Sequence, residues 1–187
     1  LSSGDYPDNQ RLRVYMQQAD GTFEDATERI GLDHDGSQQI SLADFDRDGD
    51  LDLIAGQTFF RYSAEQKAGR EPRPKLFANE MTEGRKSLVL RLHGDGERLT
   101  TDALGAVVRA TLPDGRTLVR QLVGIGGHAG KQDDFIVHVG LGEFLRAELV
   151  EVVWPTDKGE VSTFEDVEAG TYALRYGGEL KAMRGST

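Results

Sequence analysis

The chain has 187 residues, of which 37% are hydrophobic, 23 are glycine and none is cysteine. The absence of cysteine excludes disulfides, thiolate metal sites and iron–sulfur clusters. The net charge of −10 argues against nucleic acid as a partner, because nucleic-acid phosphates require a basic face. No apolar run approaches the roughly 18 residues of a membrane span. The chain opens on Leu1 without a signal peptide, so we expect a processed or excised piece of a longer protein.

The first part of the chain predicts short strands joined by turns. The strands are expected at residues 11–18, 39–45 and 50–55. Ala19-Asp20-Gly21 is typical of a turn between two strands. The charged segment 59–74 predicts a long surface loop, with a helical turn at 64–68.

The second part also predicts strands, and no segment has the pattern of an amphipathic helix of three turns. The strands are expected at residues 87–93, 103–112, 117–124, 135–140, 149–154 and 171–176. Pro113-Asp114-Gly115 indicates a hairpin between two of them. This spacing favours a sandwich or a barrel. The polar tail after Gly177 is expected to fray.

Two similar segments suggest an internal repeat. Arg13-Val14-Tyr15-Met16-Gln17 resembles Lys75-Leu76-Phe77-Ala78-Asn79, some sixty residues later. Repeats of this kind are typical of stacked β units such as propeller blades. One blade and the start of another cannot close a ring, so we expect the propeller to be truncated at its N-terminus.

The most specific motif is the acidic stretch 44–52, which predicts a Ca²⁺ site. The predicted ligand residues are Asp44, Asp46, Asp48, Asp50 and Asp52. With Asp44 at position 1, carboxylates fall at positions 1, 3, 5 and 9, the carbonyl of Asp50 is at position 7, and Gly49 at position 6 permits a sharp turn. Ala55 occupies the position where an EF-hand requires glutamate, and strands rather than helices flank the loop. We therefore predict a structural ion in a β-hairpin loop.

These residues resemble two known families. Gly21-Thr22-Phe23-Glu24-Asp25-Ala26-Thr27, Gly31-Leu32 and the stretch 43–53 resemble an FG-GAP/VCBS repeat, the blade unit of integrin-like propellers. Leu104-Gly105-Ala106-Val107-Val108, Val139-Gly140-Leu141-Gly142 and Val152-Val153-Trp154-Pro155 resemble an ASPIC/UnbV domain. The resemblance implies Ca²⁺ ligation by the side chains of Asp44, Asp46, Asp48 and Asp52 and by the carbonyl of Asp50.

The expected fold class is all-β: partial propeller blades with a calcium loop, followed by a β-sandwich or barrel-like domain. The expected boundaries are residues 1–80 for the blade remnant, 81–178 for the ASPIC/UnbV-like domain and 179–187 for the tail. The resemblance also implies a secreted or surface binding protein rather than a named reaction.

Other segments carry weaker signals. Gly124-Ile125-Gly126-Gly127-His128-Ala129 matches a dinucleotide fingerprint, but a strand rather than a helix is predicted after it. The polar loop 128–134 is the best second site, with His128, Asp133 and Asp134 as possible ligand contacts or an acid–base set. Phe59, Phe60 and Tyr62 form either an exposed recognition patch or a packing contact with a neighbouring blade.

The sequence favours a non-catalytic, calcium-stabilised binding or adhesion module that is secreted to the extracellular space or the periplasm. Its partner would be a protein or a glycan. One alternative is a polysaccharide-active enzyme domain, which needs two facing carboxylates in a groove. The other is an architectural segment that completes a propeller with a missing segment or a partner chain, by pairing through open blade edges.

Overall fold

The computed structural model describes residues 2–3, 11–46, 48–80, 86–124 and 133–183. These residues form two compact units: the first from residues within 1–43 and 52–78, the second from residues within 44–51, 79–126 and 132–187. Strands account for nearly all the regular structure, which confirms the predicted all-β class. In the part of the chain described, no helix is long and apolar enough to cross a membrane.

The first unit contains seven short strands and one helical turn. They are β1 (Ser2–Ser3), β2 (Leu12–Arg13), β3 (Tyr15–Gln17), β4 (Phe23–Asp25), β5 (Ser37–Ala43), β6 (Asp52–Gln57), α1 (Ala64–Lys67) and β7 (Lys75–Phe77). The strands pair antiparallel in three small open sheets, β1-β2, β3-β4 and β5-β6-β7. The similar segments Arg13–Gln17 and Lys75–Asn79 of the sequence both contain strands, which fits the repeat.

Local signals account for the turns of the first unit. The predicted turn between β3 and β4 is confirmed: the amide of Gln18 donates to the carbonyl of Thr22 at 2.8 Å, and Gly21 takes the φ of +84° that the turn requires. The predicted helical turn is confirmed as α1. Ser63 caps it, because its side chain accepts from the amide of Gln66 while the Gln66 side chain accepts from the amide of Ser63.

The second unit is a sandwich of two four-stranded sheets. Its strands are β8 (Lys86–His93), β9 (Val107–Thr111), β10 (Thr117–Gln121), β11 (Val137–Gly142), β12 (Arg146–Val153), β13 (Val161–Glu168), β14 (Gly170–Arg175) and β15 (Leu180–Ala182). One sheet has the order β10-β9-β12-β13 and the other β11-β8-β14-β15. All neighbours are antiparallel except β8 and β14, which run parallel.

Alternation along the strands builds the core of the sandwich. Leu88, Leu90 and Leu92 of β8 are almost fully buried, and they pack with apolar residues of the other sheet such as Val108 and Val150. The predicted hairpin at Pro113-Asp114-Gly115 is confirmed by the amide of Leu112, which donates to the carbonyl of Arg116 at 2.8 Å. The sandwich alternative of the sequence analysis is therefore correct.

Two elements of the sandwich differ from the expectation. The strand β13 was not predicted, because its run of acidic and polar residues is typical of a loop. The tail does not fray throughout: β15 lies within it and pairs with β14 through Tyr172↔Ala182 and Leu174↔Leu180. Leu180 packs against the core, and burial of this one apolar residue gives the polar segment a reason to order.

Candidate functional site

The acidic stretch 44–52 follows β5 and runs into the start of β6. In it, Asp44, Asp46 and Asp48 each offer a carboxylate oxygen, and these oxygens all lie within 4.8 Å of one another. Backbone amides hold the side chains in place. The amide of Gly49 donates to Asp44 Oδ2 at 3.2 Å, that of Asp48 to Asp46 Oδ1 at 3.2 Å, and that of Asp50 to Asp48 Oδ1 at 3.0 Å. The loop thus gathers three anions in a fixed geometry.

The remaining predicted ligand residues are buried. Asp50 is 5% exposed and Asp52, the first residue of β6, is 2% exposed. Like charges repel one another, and burial strengthens the repulsion by lowering the local dielectric. A bound cation would offset this cost, and an acidic stretch with this burial is suited to holding one.

The donor set fits a hard divalent cation. The metal-binding atoms that Asp44, Asp46 and Asp48 offer are all carboxylate oxygens, with neither sulfur nor imidazole nitrogen among them. Ca²⁺ takes about six to eight oxygens in a flexible arrangement, so carboxylates that bind in one- or two-oxygen mode, a loop carbonyl and water could complete its shell. Among the described residues, the group consists of Asp44, Asp46 and Asp48.

Two features favour glycine at position 49, at the tip of this loop. Its φ is +96°, which L-residues with a side chain rarely adopt. A Cβ at this position would also lie 3.0 Å from Ser87 Oγ. The sequence analysis identified the first reason, and the second depends on a residue far along the chain.

The loop is held against the sandwich by hydrogen bonds to its carbonyl groups. Ser87 Oγ donates to the carbonyl of Gly49, and His138 Nε2 lies 2.8 Å from the same oxygen. Because a carbonyl can only accept, Nε2 of His138 carries the proton. Asn79 Nδ2 donates to the carbonyl of Leu51 at 3.3 Å. Ser87 and His138 lie diagonally opposite on one face of the β8–β11 pair, which places both side chains over the loop.

Ser87, His138 and Asn79 are functional candidates that the sequence analysis did not find. Ser87 and His138 lie 38 and 89 residues from Gly49 along the chain. Ser87 and His138 bond the backbone carbonyl of the loop and not its carboxylates. The residues around them in the sequence form no metal-binding pattern. Only the pairing of β8 with β11 brings them together.

The aromatic segment 59–62 divides into a buried part and an exposed part. Phe59 and Tyr62 are each 7% exposed, and their rings pack with centroids 5.1 Å apart. The guanidinium of Arg70 lies 4.2 Å from the centre of the Phe59 ring and pairs with Asp35 at 2.5 Å. Burial raises the pKa of Tyr62. Phe59 and Tyr62 thus pack inside the first unit, whereas Phe60 is 81% exposed.

The second predicted site is only partly described. His128 lies outside the described residues. Asp134 is exposed and pairs with Arg91 at 3.4 Å, while Asp133 is half-buried. The suggested role of this polar loop as a ligand contact or an acid–base set stays a prediction.

The hairpin β3-β4 is exposed along its whole length. Tyr15, Met16 and Phe23 are 49%, 43% and 64% exposed, and no third strand of the described residues pairs with either strand. An isolated pair of strands gains little stability by itself. Pairing of another β-strand with these edges remains the expectation drawn from the sequence.

The sheets and the acidic loop agree with what the chain matches among known families. Residues 2–55 match the FG-GAP-like repeat and residues 96–179 match ASPIC and UnbV. Residues 2–55 therefore carry an FG-GAP-like repeat, and an ASPIC/UnbV domain follows at residues 96–179. The first match includes β1 to β5 and all five aspartates of the loop, and the second includes six of the eight strands of the sandwich, β9 to β14. Both families are those expected from the motifs.

Other comparisons add little to this assignment. No curated protein matches the chain. A solved structure from Bacteroides uniformis, described as a proposed cell adhesion protein, is 12% identical and aligns with 93% of this chain and 83% of its own, with a TM-score of 0.29. At that TM-score the likeness supports no conclusion, so the assignment of the FG-GAP-like repeat and the ASPIC/UnbV domain depends on the two family matches.

Proposed function

We propose that this chain is a calcium-stabilised binding and adhesion module of the extracellular space or periplasm, with no catalysis of its own. The observation that carries the proposal is the group of carboxylate oxygens from Asp44, Asp46 and Asp48, which lie within 4.8 Å of one another inside an FG-GAP-like repeat. The chemistry that Ca²⁺ would supply here is charge neutralisation and cross-linking of the loop.

The residues that would hold the ion are those of the acidic stretch. Asp44, Asp46 and Asp48 would supply carboxylate oxygens, with Asp52 as a fourth carboxylate and the carbonyl of Asp50 as a main-chain donor. Such a set, with water, would use the whole coordination shell of the ion. Because the loop itself would supply most of the shell, we assign the ion a structural role and no reaction.

The location follows from the expected affinity. Calcium sites in extracellular modules commonly bind with dissociation constants of about 10⁻⁴–10⁻³ M, so they fill outside the cell and stay empty in the cytosol. A chain without cysteine needs no oxidising compartment to fold, and it is compatible with either exterior location. A protein or glycan partner would then meet a module whose loop is already ordered by the ion.

Calcium titration by calorimetry tests the ion site directly. We expect wild type to bind one Ca²⁺, and Asp46→Asn to weaken binding by tenfold or more, because one charged ligand of the group becomes neutral. Asp157→Asn removes the same charge from an exposed turn of the ASPIC/UnbV domain and should bind like wild type. Absence of heat from wild type, or equal weakening by the two variants, would show that the loop does not hold the ion.

A second titration tests the contact between the loop and the sandwich. His138→Ala removes one of the two donors to the carbonyl of Gly49. A net hydrogen bond contributes about 0.5–1.5 kcal/mol, so calcium affinity should fall by roughly twofold to tenfold as the loop loses its preferred conformation. His93→Ala is the matched control, because it also removes an imidazole, from the neighbouring strand β8, and His93 makes no such contact. If the two histidine variants bind calcium equally, the contact does not shape the site.

A further inference from the structure

A small cleft opens on the outer face of one sheet of the ASPIC/UnbV domain, the face away from the core. Its volume is about 230 Å³. It is lined by His93, Ala173, Arg175, Gly178, Glu179 and Lys181. Three of these side chains are basic residues from three different strands, β8, β14 and β15. The cleft is separate from the calcium loop and belongs to neither site predicted from the sequence.

Strand register explains how the basic residues meet. Leu92 and Leu174 face the core, so their neighbours His93, Ala173 and Arg175 face outward. His93 is the partner of Arg175 across the parallel β8–β14 pair, and Lys181 is the partner of Ala173 across β14–β15. Cross-strand partners on one face lie about 5 Å apart. The small side chain of Ala173 leaves open the space between the side chains of His93, Arg175 and Lys181.

The basic side chains of the cleft lack partners of their own. Among the described residues, the side chains of His93, Arg175 and Lys181 form no ion pair and no hydrogen bond. Their neighbour Arg91, on the same face of β8, does pair with Asp134 at 3.4 Å. Glu179 is the one acidic residue in the lining. In a chain with a net charge of −10, basic side chains collected around an open space are a feature that a bound anion would explain.

We propose that this cleft binds a small oxyanion group, a carboxylate, sulfate or phosphate. The guanidinium of Arg175 can donate two parallel N–H hydrogen bonds to two oxygens of such a group. The ammonium group of Lys181, on the neighbouring strand β15, adds a second positive charge. The volume is below the roughly 300–1,000 Å³ of sites for drug-sized ligands, so the cleft holds one charged group and not a large molecule. The proposal does not depend on calcium binding at the acidic loop.

Two-dimensional NMR of the full chain in millimolar calcium tests this proposal. The probes are sodium sulfate, methyl phosphate and acetate, each added at constant ionic strength against sodium chloride. We expect saturable shifts of the amides of His93, Arg175 and Lys181. Arg175→Gln should weaken binding by roughly tenfold, the effect of losing one charge-assisted hydrogen bond, and Lys181→Gln should weaken it too.

Arg109→Gln is the matched control, because Arg109 is an exposed arginine on β9 in the other sheet and loses the same charge. Tighter binding of sulfate or methyl phosphate would specify a tetrahedral group, and tighter binding of acetate a carboxylate; either result supports the site. Shifts that do not saturate, or equal weakening by Arg109→Gln and Arg175→Gln, would overturn it. Calcium titration of the same samples reports separately on the acidic loop.

Discussion

Millimolar calcium is expected to raise the temperature at which this chain unfolds, and excess EDTA to lower it. Millimolar calcium is about one to ten times a dissociation constant of about 10⁻⁴–10⁻³ M, and an ion that binds only the folded state at that ratio adds roughly 0.4–1.4 kcal/mol of stability. For a chain of this size, each kcal/mol shifts the midpoint by about 2–4 °C, so the shift should be about 1–6 °C. Calorimetry with calcium, magnesium and EDTA measures it.

The calcium effect should extend beyond the FG-GAP-like repeat. The loop residues 44–51 belong to the same compact unit as the sandwich, and the Gly49 carbonyl accepts hydrogen bonds from Ser87 and His138. An ion that orders the loop therefore also stabilises its contacts with β8 and β11. Magnesium should do less, because it requires a tighter octahedral shell.

A variant in which Asp44, Asp46 and Asp48 are all changed to Asn serves as the control for the melting experiment. It removes the charges of the three-carboxylate group and should melt at the same temperature with and without calcium. Identical melting of the wild-type chain in calcium and in EDTA would contradict an ion-stabilised loop.

Trp154→Ala is expected to destabilise the ASPIC/UnbV domain by about 3–5 kcal/mol, the range for removal of a large aromatic core side chain. Trp154 is 1% exposed and is the largest of the fully buried side chains. Its ring packs edge-on against Tyr176 with centroids 5.4 Å apart, and its Nε1 donates to Ser162 Oγ at 2.9 Å. The substitution therefore leaves both a cavity and an unpaired hydroxyl.

Urea unfolding followed by circular dichroism measures this effect, since Trp154 is the only tryptophan and fluorescence is lost with it. Trp154→Phe keeps most of the ring volume and should cost less, which keeps the comparison usable if the alanine variant does not fold. Leu145→Ala, at a residue that is 71% exposed, is the surface control and should change stability by less than about 0.5 kcal/mol. A loss below about 1 kcal/mol for Trp154→Ala would show that the indole does not hold the two sheets together.

A cluster of polar side chains, Tyr176, Glu160 and Thr156, lies beside Trp154. Tyr176 donates its hydroxyl to Glu160, whose amide in turn donates to Thr156 Oγ1 at 3.1 Å. The hydrogen bond to Glu160 raises the pKa of Tyr176, and the same bond lowers the pKa of Glu160. Because Glu160 is exposed, this cluster orients the Tyr176 ring against Trp154 more than it adds stability.

Features set by neighbouring residues were predictable from the sequence. The turns at Ala19-Asp20-Gly21 and Pro113-Asp114-Gly115, the capped turn α1 and the spacing of the acidic loop all depend on contacts within a few positions. Glycine at a positive φ, side-chain caps and alternate aspartates act over such distances. The all-β class and the family resemblances followed from these local patterns.

The strands at the margins of the sandwich were harder to predict. β13 carries the acidic residues Glu165 and Asp166 beside each other, so the local sequence favours a loop. Asp166 also has a φ of +51°, which is unusual within a strand. Pairing with β12 along most of its length overrides that preference. β15 likewise pairs with β14, and its Leu180 packs against the core.

The sequence by itself determined the acidic loop, the turn residues and the β-rich character, because each is encoded by residues close together in the chain. Only the tertiary structure decided which side chains surround the loop and which aromatics stay exposed. Ser87 and His138 reach Gly49, Phe59 and Tyr62 are buried while Phe60 is not, and the basic cleft collects residues of β8, β14 and β15. These contacts depend on strand register between distant segments, which no local pattern of residues records.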